Sequence, residues 1–307
     1  MNFFVTILGS GAATPTLGRH CSAQVVSING FRMLVDCGEA TQSQMRAFRQ
    51  KMQAFSTIFI SHLHGDHLFG LPGLLSSMHL CGRTEPVTVY APKGIKAALE
   101  LLFEVSGTHL TYELTFVEMD FDTPTLIFEN EKCKVTAFPL FHSVPTYGFL
   151  FEEQQPRPNI RHDMRTMLQL TPLECREIKM GADYITADGE LIPNSELVHP
   201  ARRPLRYAYC CDTAYDESLI PIVKDVDLLC MESTFDRTRV DLAGDKRHCT
   251  TVQAAELAQK ADVGQLMLTH FSARYKIATM LIEEAQSVFP NTFAAEDGLM
   301  VQVREKE

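Results

Sequence analysis

The chain has 307 residues and 34.5 kDa, enough to bury a large core, and its 45% hydrophobic and 21% charged content excludes a disordered or fibrous protein. A formal charge of −10 gives no general attraction for polyanions, although bound cations and a local basic patch can invert the field where a nucleic acid would lie. Nine cysteines without a CxxC pair, and no apolar run near the roughly 20 residues of a membrane span, point to a cytoplasmic protein with reduced thiols rather than a disulfide scaffold or a membrane protein.

The opening MNFFVTILGSGAATP lacks a basic leader region and reads as a buried first strand over 3–8, closed by a turn on Gly9 and Gly11. Strands over 22–28 and 31–35 flank Asn29-Gly30, a strong two-residue hairpin signal. A helix is predicted over 38–51, then a short apolar strand over 56–61, then a helix in LFGLPGLLSSMHL with Pro72 near its start. A strand and helix follow over 87–107, strand-like pieces over 113–138, and a strand over 146–153. Residues 154–205 change texture: they are polar, proline-bearing and locally basic, with Arg157, Arg161, Arg165, Arg176, Lys179, Arg202, Arg203 and the adjoining Arg206. They read as a surface-facing excursion, partly helical. The core resumes with strand-then-loop segments at 206–215 and 226–234, a helix over 250–261, a strand in GQLMLTH and a helix from about 274 to 286. Strands and helices are mixed throughout, which predicts one domain of layered α/β type carrying the excursion within it.

The segment SHLHGDH, Ser61 to His67, holds three of the chain's 11 histidines and a carboxylate, just after an apolar strand. His62 and His64 can grip one ion, while Asp66 and His67, further along the bend, can reach a second. Zinc takes imidazole nitrogen and carboxylate oxygen, and two ions sharing one ligand need roughly seven. The missing ligands are sought at strand ends, where sites collect in layered α/β proteins. His142 ends VTAFPLFH, Asp212 ends YAYCCD and His270 ends LMLTH. A workable set is His62, His64 and His142 on one ion, and Asp66, His67 and His270 on the other, with Asp212 bridging. His20, His79, His109, His162 and His199 are read as ordinary structural histidines.

SHLHGDH resembles the signature of the metallo-β-lactamase fold superfamily. Five further segments, LGSGAATPT, LVDCGE, MESTF, HCTTVQAAELA and THFSARY, narrow the resemblance to the bacterial short form of the ribonuclease Z family. The resemblance implies a four-layer αββα sandwich with two Zn2+ at its edge, the same ligands, and a homodimer. It also implies precursor tRNA as substrate, cut just after the discriminator nucleotide to leave a 3′-hydroxyl, with an arm that clamps the tRNA elbow. The excursion stands in the arm's place, with the arm's glycine–proline rich part reduced to LTPLECREIKMG. Manganese or iron would suit the same ligands.

On these residues Asp66 is the expected general base for a water acidified by two ions. His248, in RHCTT before a helix, would protonate the leaving oxygen, with Glu232 of MEST fixing its tautomer; the bland reading makes His248 a helix-start residue beside the Thr250 cap. Arg274 is a phosphate-clamp candidate, its bland role an ordinary salt bridge. A two-metal phosphodiesterase or ester hydrolase for a small molecule is the alternative on this fold. It keeps every ligand but has no use for the excursion. A catalytically silent RNA-binding scaffold is a third reading, which the presence of Asp66 and His248 disfavours.

Overall fold

A computed structural model describes residues 2–306, and these form two compact units, one of residues 2–152 with 205–306 and one of Glu153–Pro204. The larger unit holds two seven-stranded sheets. In the first, the strands run in the order Met300–Gln302, Phe3–Gly9, Ala23–Ile28, Phe31–Val35, Thr57–Phe59, Val87–Pro92 and Leu114–Met119. In the second the order is Thr292–Ala294, Gln265–Thr269, Leu228–Glu232, Arg206–Cys210, Thr146–Glu153, Cys133–Leu140 and Thr125–Glu129.

The two sheets are built alike. Antiparallel hairpins form one part of each, and a run of parallel strands forms the other: Phe31–Val35 through Leu114–Met119 in the first, and Arg206–Cys210 through Thr292–Ala294 in the second. The Asn29-Gly30 hairpin forms with both residues at positive φ (49° and 87°) and Ile28 opposite Phe31, as a two-residue turn of this twist requires.

The inner faces of the sheets make one core. Phe59, fully buried, meets Phe149 at 5.4 Å and Phe151 at 5.8 Å between ring centres, and Phe151 stacks on Tyr207 at 5.8 Å. Two buried tyrosine hydroxyls cross from one sheet to the other, Tyr207 donating to Gln24 (2.6 Å) and Tyr209 to Asp36 (2.8 Å). The outer face of the first sheet is covered by helices Thr41–Ala47, Leu71–Leu80 and Ile95–Val105, which bury Met45, Leu71, Leu74, Leu75, Met78 and Leu99 with Leu34, Ile58 and Val89. On the second sheet, helix Thr251–Lys260 buries Ala254, Ala255, Leu257 and Ala258 and packs with Thr279–Gln286. Helix, sheet, sheet, helix gives four layers, the αββα sandwich of the metallo-β-lactamase fold.

Several elements differ from the sequence expectation. The helix expected over 38–51 covers only Thr41–Ala47, because Ala40 (φ 68°) and Arg49 (φ 56°) turn the chain out of helical geometry on either side. The strand expected over 56–61 shortens to Thr57–Phe59, since Ser61 gives its amide to Asp36 instead of a neighbouring strand. Strands Thr292–Ala294 and Met300–Gln302 were not expected; three residues each are too few to show alternation. A one-turn helix, Gly65–Leu68, interrupts the histidine segment.

The unit Glu153–Pro204 contains helices His162–Met167, Pro172–Lys179 and Asn194–Leu197 and two small antiparallel strand pairs. Its buried core is Leu170, Ile178 and Leu197. Thr171 and Glu174 form a capping box at the start of Pro172–Lys179, satisfying backbone donors that this small core cannot. With seven basic and eight acidic side chains it is balanced in charge rather than basic. Among the described residues no helix is long and apolar enough to cross a membrane.

Candidate metal centre

The site is assembled from the ends of strands. His62 and His64 follow Thr57–Phe59, Asp66 and His67 lie within the single helical turn Gly65–Leu68, and His142 follows Cys133–Leu140. Asp212 follows Arg206–Cys210, and His270 follows Gln265–Thr269 in a left-handed conformation (φ 59°). The turn carrying Asp66 and His67 sits close under the chain at 37–38: Cys37 and His67 are hydrogen-bonded at 2.8 Å, as are Gly70 and Cys37. A side chain on Gly38 would come within 2.2 Å of the Asp66 carbonyl oxygen, and one on Gly70 within 2.1 Å of the Gly38 oxygen, so only glycine permits this approach.

All seven expected ligands come together, in two sets that share Asp212. His62, His64, His142 and Asp212 form one and Asp66, His67, Asp212 and His270 the other, with the donor atoms of each set within 4.8 Å of one another. Asp212 faces His62 (3.6 Å) and His142 (3.8 Å) through Oδ2, and His67 (3.3 Å) and His270 (3.1 Å) through Oδ1.

Four of the five imidazoles are held by their other nitrogen. His67 gives Nδ1–H to Asp36 (2.7 Å), His142 to the carbonyl of Arg247 (3.0 Å), His270 to the Thr234 hydroxyl (2.9 Å) and His62 to the Ser61 hydroxyl (3.1 Å). That leaves Nε2 of all four for the shared space. His64 instead presents Nδ1, 3.1 Å from His62 Nε2.

Three of these residues, Asp36, Thr234 and Arg247, were not singled out from the sequence. Asp36 is fully buried and left-handed (φ 56°), and accepts from the Ser61 amide and hydroxyl, His67 and Tyr209. Its signal was available: a carboxylate just after the strand FRMLV, which ends in three buried apolar residues, must be paired if it is buried. Arg247 also donates to the His142 carbonyl (2.6 Å) and lies over the Phe141 ring, locking that loop.

A divalent cation fits the residues present. Nε2 of His67, Nε2 of His142 and Oδ1 of Asp212 are buried without a hydrogen-bond partner. Such orphans cost about 1–3 kcal/mol each unless something else coordinates them. Burial and the neighbouring imidazoles push the His62 pKa well below its ordinary value, which leaves it neutral, as a ligand must be. Burial also opposes charge on Asp66 and Asp212, but the surrounding histidines outweigh it and hold both carboxyls ionised, well below the usual range. At His67 burial is outweighed by Asp36 and Asp212, which raise its pKa well above normal; the carboxylates that hold a proton there would equally hold a cation.

Beside the two sets stands His248. Its Nδ1 is 2.7 Å from Glu232, which also accepts from Thr213 N–H (3.1 Å), Thr234 N–H (3.0 Å) and the Thr234 hydroxyl (2.8 Å). Burial disfavours the imidazolium, but Glu232 outweighs it, and the His248 pKa is raised to about 9. The cavity over the site, about 430 Å³, is lined by His64, Asp66, His142, Asp212, His248 and His270. Arg274 reaches the same cavity; it is exposed, lies over the Phe235 ring at 5.7 Å and pairs with no carboxylate among the described residues.

Residues 3–207 match the family model described as the anti-Pycsar protein Apyc1, a span that ends before Asp212, Glu232, His248 and His270. Over almost its whole length the chain is similar to ribonuclease Z of Parabacteroides distasonis, 41% identical over 98% of this chain and 99% of the relative. It is similarly related to ribonuclease Z of Bacteroides thetaiotaomicron, 40% identical over 98% of this chain and 95% of the relative. Among solved structures, the short form of human tRNase Z superposes with a TM-score of 0.70 at 27% identity, covering 98% of this chain and 99% of that one. On the fold, the site geometry and these relatives together, the chain belongs to the ribonuclease Z family.

Proposed function

We propose that this protein is a metal-dependent endoribonuclease that removes the 3′ trailer of precursor tRNA, cutting after the discriminator nucleotide and leaving a 3′-hydroxyl. The observation that carries the reading is the double cradle sharing Asp212, in a chain 41% identical to a ribonuclease Z over 98% of its length. His62, His64 and His142 would hold one cation and Asp66, His67 and His270 the other, with Asp212 between them. The imidazole-rich set favours zinc, with manganese or iron chemically admissible. Two such cations supply positive charge to the phosphoryl oxygens and acidify water at neutral pH.

The protein's own groups do the rest. Asp66 orients the attacking water and accepts its proton on a carboxylate oxygen. His248, charged at neutral pH and tied at Nδ1 to Glu232, delivers its Nε2 proton to the departing 3′-oxygen. One proton is thus taken and one given, and the trailer keeps the phosphate. Arg274, at the cavity rim and paired with no carboxylate among the described residues, takes phosphate oxygens in bidentate fashion.

The excursion 154–205 is the natural tRNA arm in this reading. Arg157, Arg165, Arg176 and Lys179 make no ion pair among the described residues, whereas Arg161 is tied to Asp163 and Arg202 to Glu153. Those four, rather than a net basic charge, support contact with the RNA backbone. A homodimer and a cytoplasmic location complete the proposal, on family resemblance and reduced thiols respectively.

The test is direct. Metal-loaded protein is incubated with a 3′-extended tRNA precursor, and the cut position and end groups are mapped. A product ending at the discriminator with a 3′-hydroxyl is expected; cleavage elsewhere, or activity untouched by a chelator, would sink the reading. The small-molecule alternative predicts that deleting 154–190 spares all activity, where a tRNA nuclease loses precursor cleavage but still hydrolyses a small phosphodiester.

A further inference from the structure

Asp66 is also held from the turn that follows the first strand. Its Oδ2 accepts the backbone N–H of Ala13 at 2.8 Å, on the turn GSGAATPT that follows the first strand. The same oxygen lies 3.4 Å from His270 Nε2 and 3.7 Å from His67 Nε2. Ala13 has φ 59°, a left-handed conformation that residues with a side chain rarely adopt and keep only when their surroundings impose it.

The residues that flank this turn are gathered by one carboxylate from the other end of the chain. Asp297 Oδ1 accepts the amide (3.0 Å) and hydroxyl (2.8 Å) of Ser10. Its Oδ2 accepts the His20 amide (2.8 Å), and also faces His20 Nδ1 (2.9 Å) and Gln44 Nε2 (3.3 Å). Both ends of the 10–20 loop are thereby tied to a single side chain. Arg19 tightens the closure, donating to the Ser10 hydroxyl and to the Ala295 carbonyl, each at 2.7 Å. Gly11 and Ala12 complete it, donating to the carbonyls of His20 (2.9 Å) and Phe271 (3.1 Å).

We propose that Asp297 is a positioning residue for the reaction: by closing the 10–20 loop it fixes the Ala13 amide, and through it the rotamer of Asp66. The inference rests on the role given to Asp66 above. With Oδ2 committed to Ala13, the carboxylate cannot swing, and its geometry toward cation and water is set before substrate arrives. Ser10, Arg19 and His20 act as the struts of this arrangement, and touch no reacting atom themselves.

The experiment uses Asp297→Asn, which keeps the size but replaces one acceptor oxygen with a donor facing N–H groups, and Ser10→Ala as a milder variant that leaves Asp297 in place. Three quantities are read: kcat and KM on the tRNA precursor, zinc affinity by chelator competition, and hydrogen exchange at the Ala13 amide by NMR. Expected for Asp297→Asn are a fall in kcat on the order of 10- to 100-fold, KM within about twofold, weaker zinc binding and faster exchange at Ala13, with Ser10→Ala in the same direction and smaller. A purely structural role would lower the melting temperature while leaving kcat per folded molecule and Ala13 protection unchanged, and that result would overturn the proposal. The exchange and zinc measurements need no RNA, so a wild-type protein that failed to cut tRNA would defeat the nuclease reading without deciding this one.

Discussion

The sandwich and the 153–204 unit handle charge in opposite ways. Within the sandwich, fully or nearly buried polar groups cluster at one strand-end edge, and each is fixed by a second residue: His67 by Asp36, His270 by Thr234, His142 by Arg247. The small unit buries Leu170, Ile178 and Leu197 and leaves Arg157, Arg165, Arg176 and Lys179 without ion pairs among the described residues. Bond-breaking needs groups held within fractions of an ångström, which requires a large packed core behind them. Gripping a polyanion backbone needs only mobile cations, whose value lies in charge and counterion release. Rigid support thus stands behind the strand-end cluster, while the small unit carries side-chain cations without ion pairs among the described residues.

Breaking the rigid side should have the largest consequence. Asp66→Ala is expected to lower single-turnover cleavage by about 10³-fold or more, while filter binding of the precursor stays near wild type. Full activity in that variant would remove Asp66 from the role of base. Glu232→Gln is expected to cost roughly 10- to 100-fold in kcat and to change its pH dependence. His248 is raised to about 9, so its acid form is present at neutral pH and disappears as pH rises through that value. Without the carboxylate its pKa falls, and the alkaline limb of the kcat profile must move to lower pH; an unmoved limb would separate His248 from the rate.

One sphere further out, Asp36→Asn should weaken zinc binding by about 10- to 100-fold, measured by chelator competition, because it unties His67, Ser61 and Tyr209 together. Retained affinity would mean that the cradle stands without its buried support. The smallest effect is expected on the adaptable side. Arg165→Ala with Arg176→Ala should raise KM for precursor tRNA a few-fold and reduce the salt slope of binding by about one unit for each phosphate no longer neutralised. Hydrolysis of a small phosphodiester should be untouched, and a fall there would blur the contrast between the two units.

The hairpin at Asn29-Gly30 and the cluster SHLHGDH could be read directly, because each depends on residues within seven positions of one another. His142, Asp212 and His270 were approachable by rule, as polar residues ending apolar strands. Asp36 had the same signature but escaped, since nothing local says that its partners are Ser61, His67 and Tyr209. The edge strands at 292–294 and 300–302 are too short to carry a period, and Asp297 beside them gathers Ser10 and His20 from the opposite end of the chain.

The sequence by itself determined the alternation and turn chemistry of the strands, the crowding of ligand-type side chains into residues 61–67, and the family to which the chain belongs. Tertiary structure alone decided which nitrogen of each imidazole is tied and which faces the shared space, that Asp212 stands between the two sets, and that the Ala13 amide meets Asp66. The physical reason is range. Propensity and periodicity act over a few neighbouring residues, whereas a buried donor takes whichever acceptor the packing of two sheets brings within about 3 Å, however distant in the chain.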